Sequence, residues 1–102
     1  MSALFPLLPL HGRATIEKLL VKHAVFWDEA EDAYSSVDPD GWVDELADAP
    51  NRRVAIALTQ AERQLMLIIE SDSRHEVIYL VSAYEPSDED LMRYDNAIQK
   101  KR

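Results

Sequence analysis

The spacing of apolar residues along the chain predicts where its helices lie. In the segments 14–21 and 27–34 the apolar residues recur every three or four positions, with charged residues between them. This spacing gives each segment one apolar face and predicts two consecutive amphipathic helices. A third apolar stripe of the same period follows Ser87, a residue type that favours the N-cap position, with three acidic residues in the first turn behind it. The sequence therefore predicts a C-terminal helix that begins after Ser87.

The apolar residues between the second and third helices predict strands. In segment 53–59 the residues Val54, Ile56 and Leu58 recur at every second position and so share one face, whereas 65–69 and 77–81 are continuously apolar. Continuous apolarity indicates that both faces of the sheet are covered, or that another chain covers one of them. The connections are too short for a crossover helix, so the strands should form an antiparallel meander. The predicted fold class is α+β, with two N-terminal helices, a meander of three to four strands and a C-terminal helix.

The chain has 102 residues, which predicts one domain with short additions. Residues 1–12 are interpreted as an extended apolar arm, because Pro6 and Pro9 forbid a helix there, and the arm packs on the domain or on a partner. The arm lacks the basic start of a targeting signal, and we expect no membrane-spanning segment. Residues 13–99 form the α+β domain, with an acidic insert at 35–51, and residues 100–102 form a basic tail.

The charge distribution indicates which kinds of molecule the protein can bind. Eleven Lys and Arg against nineteen Asp and Glu give a formal net charge of −8, which disfavours RNA or DNA binding that relies on covering many phosphates. Nine of the acidic residues lie between positions 28 and 51, a stretch without Lys or Arg. This stretch is either a solvated face or a surface that recognises a basic protein. If Trp42 is exposed there, it is the natural anchor, with Asp44 and Glu45 beside it.

The same composition excludes some chemistry. With no cysteine the chain has no disulfide, no thiol catalysis and no zinc–thiolate site, which suits a cytoplasmic protein. No two of the three histidines have the spacing of metal ligands, so we expect neither a metal nor a cofactor.

Two short motifs carry a resemblance to a known family. Lys22-His23-Ala24-Val25, followed by Asp28-Glu29-Ala30, resembles the K-H-G-V-x-x-E-E-A segment between the first two helices of BrnT-type toxins. The strand at 78–83 is similar to the I-R-I-I-S-A strand of that family, and Glu89 and Tyr94 match its closing helix. In order, the resemblance covers residues 14–98.

The resemblance implies a compact domain similar to the RelE-type ribonuclease fold. It also implies metal-free RNA cleavage and a cognate antitoxin, a small DNA-binding protein that neutralises the toxin. Such cleavage needs a base for the 2′-hydroxyl, cations for the phosphate and an acid for the leaving oxygen. The resemblance then makes His23 the base, Arg53 the phosphate-binding cation and Ser82 the positioning hydroxyl, and Tyr84, which does not match the family, is the alternative positioning hydroxyl. Further contacts to RNA are implied for Lys22, Arg52 and Arg74.

The chain also departs from the family pattern. Ala24 replaces the Gly after His, Tyr84 replaces the Arg after Ser-Ala, and acidic residues replace the usual basic surplus. These changes leave weakened or lost ribonuclease activity as the expectation. The alternative is a non-enzymatic interaction protein of the same fold that binds a basic partner, and a third is a domain that forms a homodimer through its sheet. His23, for its part, is either the base or a structural residue at the end of its helix.

Overall fold

The computed structural model describes residues 6–44, 49–72, 74 and 76–101, and within them the chain forms three helices and one four-stranded sheet. The elements are, in chain order, β1 (Leu7–Pro9), α1 (Arg13–His23), α2 (Trp27–Ser35), β2 (Arg52–Leu58), β3 (Gln64–Asp72), β4 (Val77–Tyr84) and α3 (Asp88–Lys101). The α+β class and the order of the elements from α1 to α3 agree with the sequence analysis. None of the described helices is long and apolar enough to cross a membrane.

The sheet is mixed, with the strand order β1-β4-β3-β2. Strands β2, β3 and β4 form the predicted antiparallel meander. The prediction of an all-antiparallel sheet is wrong for its edge, because part of the N-terminal arm forms β1 and pairs in parallel with β4, Leu7 opposite Ile78. Pro9 ends this edge strand, a position where its missing N–H costs no ladder bond. Leu7 is buried beneath the helices, so the described part of the arm packs on its own domain.

Helices cover both faces of the sheet. On the first face, which we call the α1/α2 face, helical residues such as Leu19, Val25 and Ala33 pack against Leu67 and Leu80. On the opposite face, the α3 face, Ala97, Tyr94 and Ile98 of α3 pack against Val54 and Met66. Coverage from both sides explains why β3 and β4 are continuously apolar.

A bulge in β4 decides which way the end of that strand points. Ile68 lies opposite Ser82 but Ile69 lies opposite Leu80, so Val81 is an extra residue in β4. Without it, alternation would put Leu80 and Tyr84 on the same face. With it, Leu80 packs on the α1/α2 face while Tyr84 packs against the α3 face.

The C-terminal helix agrees with its predicted start but not with its predicted end. Ser87 Oγ accepts a hydrogen bond from the Asp90 N–H (3.1 Å), and Asp90 Oδ2 accepts one from the Ser87 N–H (3.0 Å), so the helix has a reciprocal cap. Lys101, predicted as part of a basic tail, is the last residue of α3. Its Nζ donates to the carbonyl oxygens of Trp42 (2.6 Å) and Asp40 (3.2 Å), so the end of the helix holds the loop before β2. Arg102 lies outside the described residues.

Helix α1 ends in an αL C-cap motif that has alanine at its left-handed position. The Val25 N–H donates to Leu19 O and the Ala24 N–H to Leu20 O, both at 3.1 Å, while Ala24 has φ 54° and ψ 39°. Glycine takes this conformation without the clash that a Cβ causes.

We expect Ala24→Gly to stabilise the protein. Relief of left-handed strain is worth about 1 kcal/mol and exceeds the added entropy of the unfolded chain, for a net gain of about 0.5 kcal/mol. Urea denaturation measures this difference. The matched control Ala14→Gly, at an exposed position of α1, should lose about 0.5–1 kcal/mol. Equal losses for both variants would contradict the assignment of strain to Ala24.

Candidate functional site

Two aromatic side chains predicted to take part in catalysis meet where α1 and β4 end. His23 is the last residue of α1 and Tyr84 the last of β4, and their ring centroids lie 5.4 Å apart with the ring planes at 36°. Both rings are half-buried. The contact joins the helix end to the strand end that the bulge has turned.

The surroundings of His23 favour its neutral form. Partial burial lowers the pKa of His23 below its ordinary value of 6.5, and the positive charges of Lys22 and Lys18 lower it further. An imidazole with a lowered pKa keeps its neutral form to a lower pH than an ordinary histidine, and the neutral form is the one that can accept a proton. The two lysines that cause part of this shift also place positive charge beside the ring.

Arg63 connects the backbone next to His23 with the residue next to Tyr84. Its Nη1 donates to the carbonyl oxygen of Ala24 (2.9 Å) and to the Glu29 carboxylate (2.9 and 3.0 Å). Its Nε donates to Glu85 Oε2 (2.8 Å). Because Ala24 follows His23 and Glu85 follows Tyr84, one guanidinium sets the relative position of the two chain segments that carry the rings.

The ion pairs of Arg63 leave it little positive charge to offer a ligand. The hydrogen bonds that Arg63 donates to Glu29 and then to Glu85 raise the pKa of Arg63. The Phe26 N–H donates to Glu29 Oε1 (3.1 Å), and this bond, followed by the contact with Arg63, lowers the pKa of Glu29. The sequence analysis did not find Arg63, because Arg63 lies in one of the short connections between predicted strands, to which no role was given. A lone arginine between two apolar strands was the available signal.

Arg53, the predicted phosphate-binding cation, is not part of this group. It lies three residues along β2 from Ile56, whose cross-strand neighbours are Met66 and then Tyr84. At about 3.3 Å per residue and 4.8 Å per strand, its Cα lies about 14 Å from that of Tyr84. Its Nε instead contacts Asp44 Oδ1 at 3.3 Å, and both side chains are more than half exposed.

The other predicted RNA-contact residues are dispersed. Ser82 is buried in β4, two residues before Tyr84. The Nε of Arg52 donates to Glu70 Oε1 at 3.2 Å, at the end of the sheet where β2 begins. Arg74 is exposed in the turn between β3 and β4, far along the sheet from Tyr84. Only Lys22 adjoins His23.

The predicted partner-binding residues lie in the loop before β2. The ring of Trp42 is half-buried and packs 6.1 Å from that of Tyr34, so Trp42 is partly a core residue. Asp44 is exposed, whereas Glu45 lies outside the described residues. The Tyr94 hydroxyl donates to Gly41 O at 2.6 Å and fixes the loop on α3.

No group of three or more His, Asp or Glu side chains in the described part of the chain could hold a metal ion. Comparison of the chain with protein-family models, with curated proteins and with solved structures finds no match.

Proposed function

We propose that the protein is a BrnT-like toxin component of a toxin–antitoxin module, with a RelE-like arrangement of the α+β fold and a weak, metal-free ribonuclease activity. In this proposal it acts in the cytoplasm and is neutralised by a small antitoxin. One observation carries the proposal. The two separate segments that resemble the BrnT family, one containing His23 and one ending beside Tyr84, meet at the contact between these two rings.

The backbone of Ala24 supports the same proposal. The family motif has Gly directly after its His, and here that position has a positive φ of 54°. A left-handed residue that ends the helix directly after His23 is the geometry for which Gly is the usual choice. The substitution by Ala is therefore a tolerated departure from the motif and leaves the helix end in place.

In the proposed cleavage of RNA, each side chain of the site either transfers a proton or stabilises the charge of the phosphate. Neutral His23 takes the proton from the RNA 2′-hydroxyl, the 2′-oxygen attacks phosphorus, and the bond to the 5′-oxygen breaks to leave a 2′,3′-cyclic phosphate. The leaving 5′-oxygen takes up a proton, for which the Tyr84 hydroxyl is the donor beside His23. Lys22 supplies positive charge to the phosphate during the attack.

The proposed activity is weak for two reasons on the same surface. The family Arg is replaced by Tyr84, which has no positive charge, and the charge of Arg63 is compensated by Glu29 and Glu85. Loss of one such group costs about 2.7–4 kcal/mol of transition-state stabilisation, by analogy with an oxyanion-hole donor. The net charge of −8 also slows the encounter with RNA.

The purified protein is expected to cut single-stranded RNA in the presence of EDTA and to leave 2′,3′-cyclic phosphate ends. A 5′-labelled RNA resolved on a denaturing gel, with end-group analysis, measures this, and a preparation of His23→Gln purified in parallel controls for contaminating ribonuclease. Induced expression should also arrest growth. Intact RNA at stoichiometric protein, together with normal growth, would contradict the proposal.

A second candidate function is non-enzymatic binding of a basic protein. Exposed carboxylates on α2 and in the loop after it, such as Asp28, Glu31 and Asp44, favour it, because little positive charge lies between them. The same experiment separates the two functions. Growth arrest that persists in His23→Gln while RNA stays intact would favour the binding protein.

A further inference from the structure

A surface cavity of about 310 Å³ lies between the start of α1 and the sheet, towards the other end of α1 from His23. Its charged or titratable lining residues are His11, Lys18 and Arg52, and Thr15 and Val81 also line it. Four other cavities of similar size are each lined by at least one aspartate. In a chain with a net charge of −8, this cavity gathers positive charge.

Neighbouring contacts hold the walls of the cavity in place. The His11 N–H donates to Thr15 Oγ1 at 3.1 Å, and Thr15 is only 5% exposed, so the turn into α1 is fixed. The Nε of Arg52 donates to Glu70 Oε1 in an ion pair, which orients the guanidinium and compensates part of its charge; Glu70 is not a lining residue, and Lys18 is the cation of the cavity with no such pair among the described residues. Within the described part of the chain, no hydrogen bond occupies the two Nη groups of Arg52 or the Nζ of Lys18.

We propose that this cavity binds a phosphate group, namely a backbone phosphate of the RNA adjacent to the phosphate that is cleaved. The inference rests on the proposed ribonuclease function and adds a substrate subsite to it. An Arg fork and a Lys point charge together suit a tetrahedral anion that carries negative charge on several oxygens.

The position of Lys18 connects the cavity with His23. The two residues are five positions apart in α1, which is about 7.5 Å along the helix axis. The charge of Lys18 also reaches the His23 ring, because it contributes to the lowered pKa there. One strand of RNA that follows α1 can therefore place neighbouring phosphates at the cavity and at His23.

Binding of two probes to the full chain tests the subsite. The probes are inorganic phosphate and a 2′-O-methyl tetranucleotide, which cannot be cleaved because it lacks a free 2′-hydroxyl. Amide chemical shifts of residues 11–18 report occupancy. Both probes should shift these amides, and the tetranucleotide should bind more tightly.

Lys18→Ala should weaken tetranucleotide binding about five- to tenfold. It should also reduce the slope of log affinity against log salt concentration by about 0.7, the value for one phosphate contact with a single strand. Lys18→Arg should restore most of the affinity.

Arg93→Ala is the matched control, because Arg93 is an exposed cation on α3, away from the cavity, and its loss should leave affinity unchanged. Thermal melting of each variant checks that it is folded. If wild-type protein cuts RNA but Lys18→Ala binds the tetranucleotide as tightly as wild type, the subsite is overturned while the ribonuclease proposal stands. Phosphate binding at residues 11–18 without tetranucleotide binding would overturn the assignment to RNA. Unshifted amides with both probes would overturn the site altogether.

Discussion

In the His23→Gln variant, the rate of RNA cleavage is expected to fall about 100-fold or more, because loss of a general base costs about 10²–10⁴ in rate. Glutamine keeps a polar side chain of similar length at the end of α1 but cannot accept the 2′-hydroxyl proton. Single-turnover cleavage of a labelled RNA measures the change. The melting temperature of the variant should stay close to that of wild type, because His23 is half-buried at a helix end and not in the core.

The pH profile separates a catalytic His23 from a structural one. Because burial and the two lysines lower its pKa, the acid limb of the cleavage profile should have its midpoint below 6.5, and Lys22→Ala should move that midpoint upward. The sign for stability follows from the same shift. Between the lowered pKa and 6.5 the unfolded chain binds more protons than the folded one, so the contribution of His23 makes stability rise as the pH rises through this window and become constant above it. His23→Gln should lack this dependence.

Two results would contradict the assignment of His23 as base. One is a folded His23→Gln variant that cuts RNA at the wild-type rate. The other is an acid limb that is unchanged in that variant, because the titrating group would then lie elsewhere. His11→Gln is the histidine control for the pH profile, because His11 lies at the opposite end of α1 from His23. This substitution should leave the midpoint of the acid limb unchanged, even if the substitution weakens RNA binding.

In the Arg63→Ala variant, the free energy of unfolding is expected to fall by about 2 kcal/mol. Hydrogen bonds to charged groups contribute about 1.5–3 kcal/mol when buried, and the partial exposure of Glu29 and Glu85 reduces their sum. The variant leaves the Ala24 carbonyl and the Glu29 carboxylate without their shared donor. For a chain of this size the loss corresponds to about 10 °C in melting temperature, measured by thermal denaturation.

Three further measurements make the test of Arg63 specific. Arg93→Ala should change stability by less than about 0.5 kcal/mol, because Arg93 is exposed. Combining Arg63→Ala with Glu29→Ala should cost less than the sum of the two single changes, since the residues share one interaction. Glu29 has a lowered pKa, so its contribution is present above pH 4.5 and is lost as the pH falls through the folded value. The difference between wild type and Arg63→Ala should therefore shrink in acid, and a difference independent of pH would contradict the ion pair.

Local patterns were sufficient to predict most elements of the fold. The apolar spacing of α1 and α2, the apolar runs of β3 and β4 and the Ser87 cap depend on residues close together in the chain. Strand β1 does not. Its three residues, Leu7 to Pro9 directly after Pro6, carry no strand pattern of their own, and they become a strand only because β4 offers an edge. The bulge at Val81 was equally hidden, since it is a property of the pairing between two strands.

The candidate site divides in the same way. The motif around His23 and the position of Tyr84 were visible in the sequence, and the fold brings these two residues into contact. Arg53 was chosen from its place in a resembling pattern, but its neighbour across the loop is Asp44. Arg63 was missed because its four acceptors come from Ala24, Glu29 and Glu85, three places distant in sequence.

The parallel edge strand also constrains the order in which the molecule folds. Leu7 leaves the ribosome about seventy residues before Ile78, its partner in the sheet. The hairpin of β2 and β3 closes a short loop and can form early, whereas the edge must wait for nearly the whole chain and bear the entropy of a long closure. Until then the nascent polypeptide carries an uncovered leucine-rich segment, and we expect completion of the sheet at this edge to be the slowest step of folding.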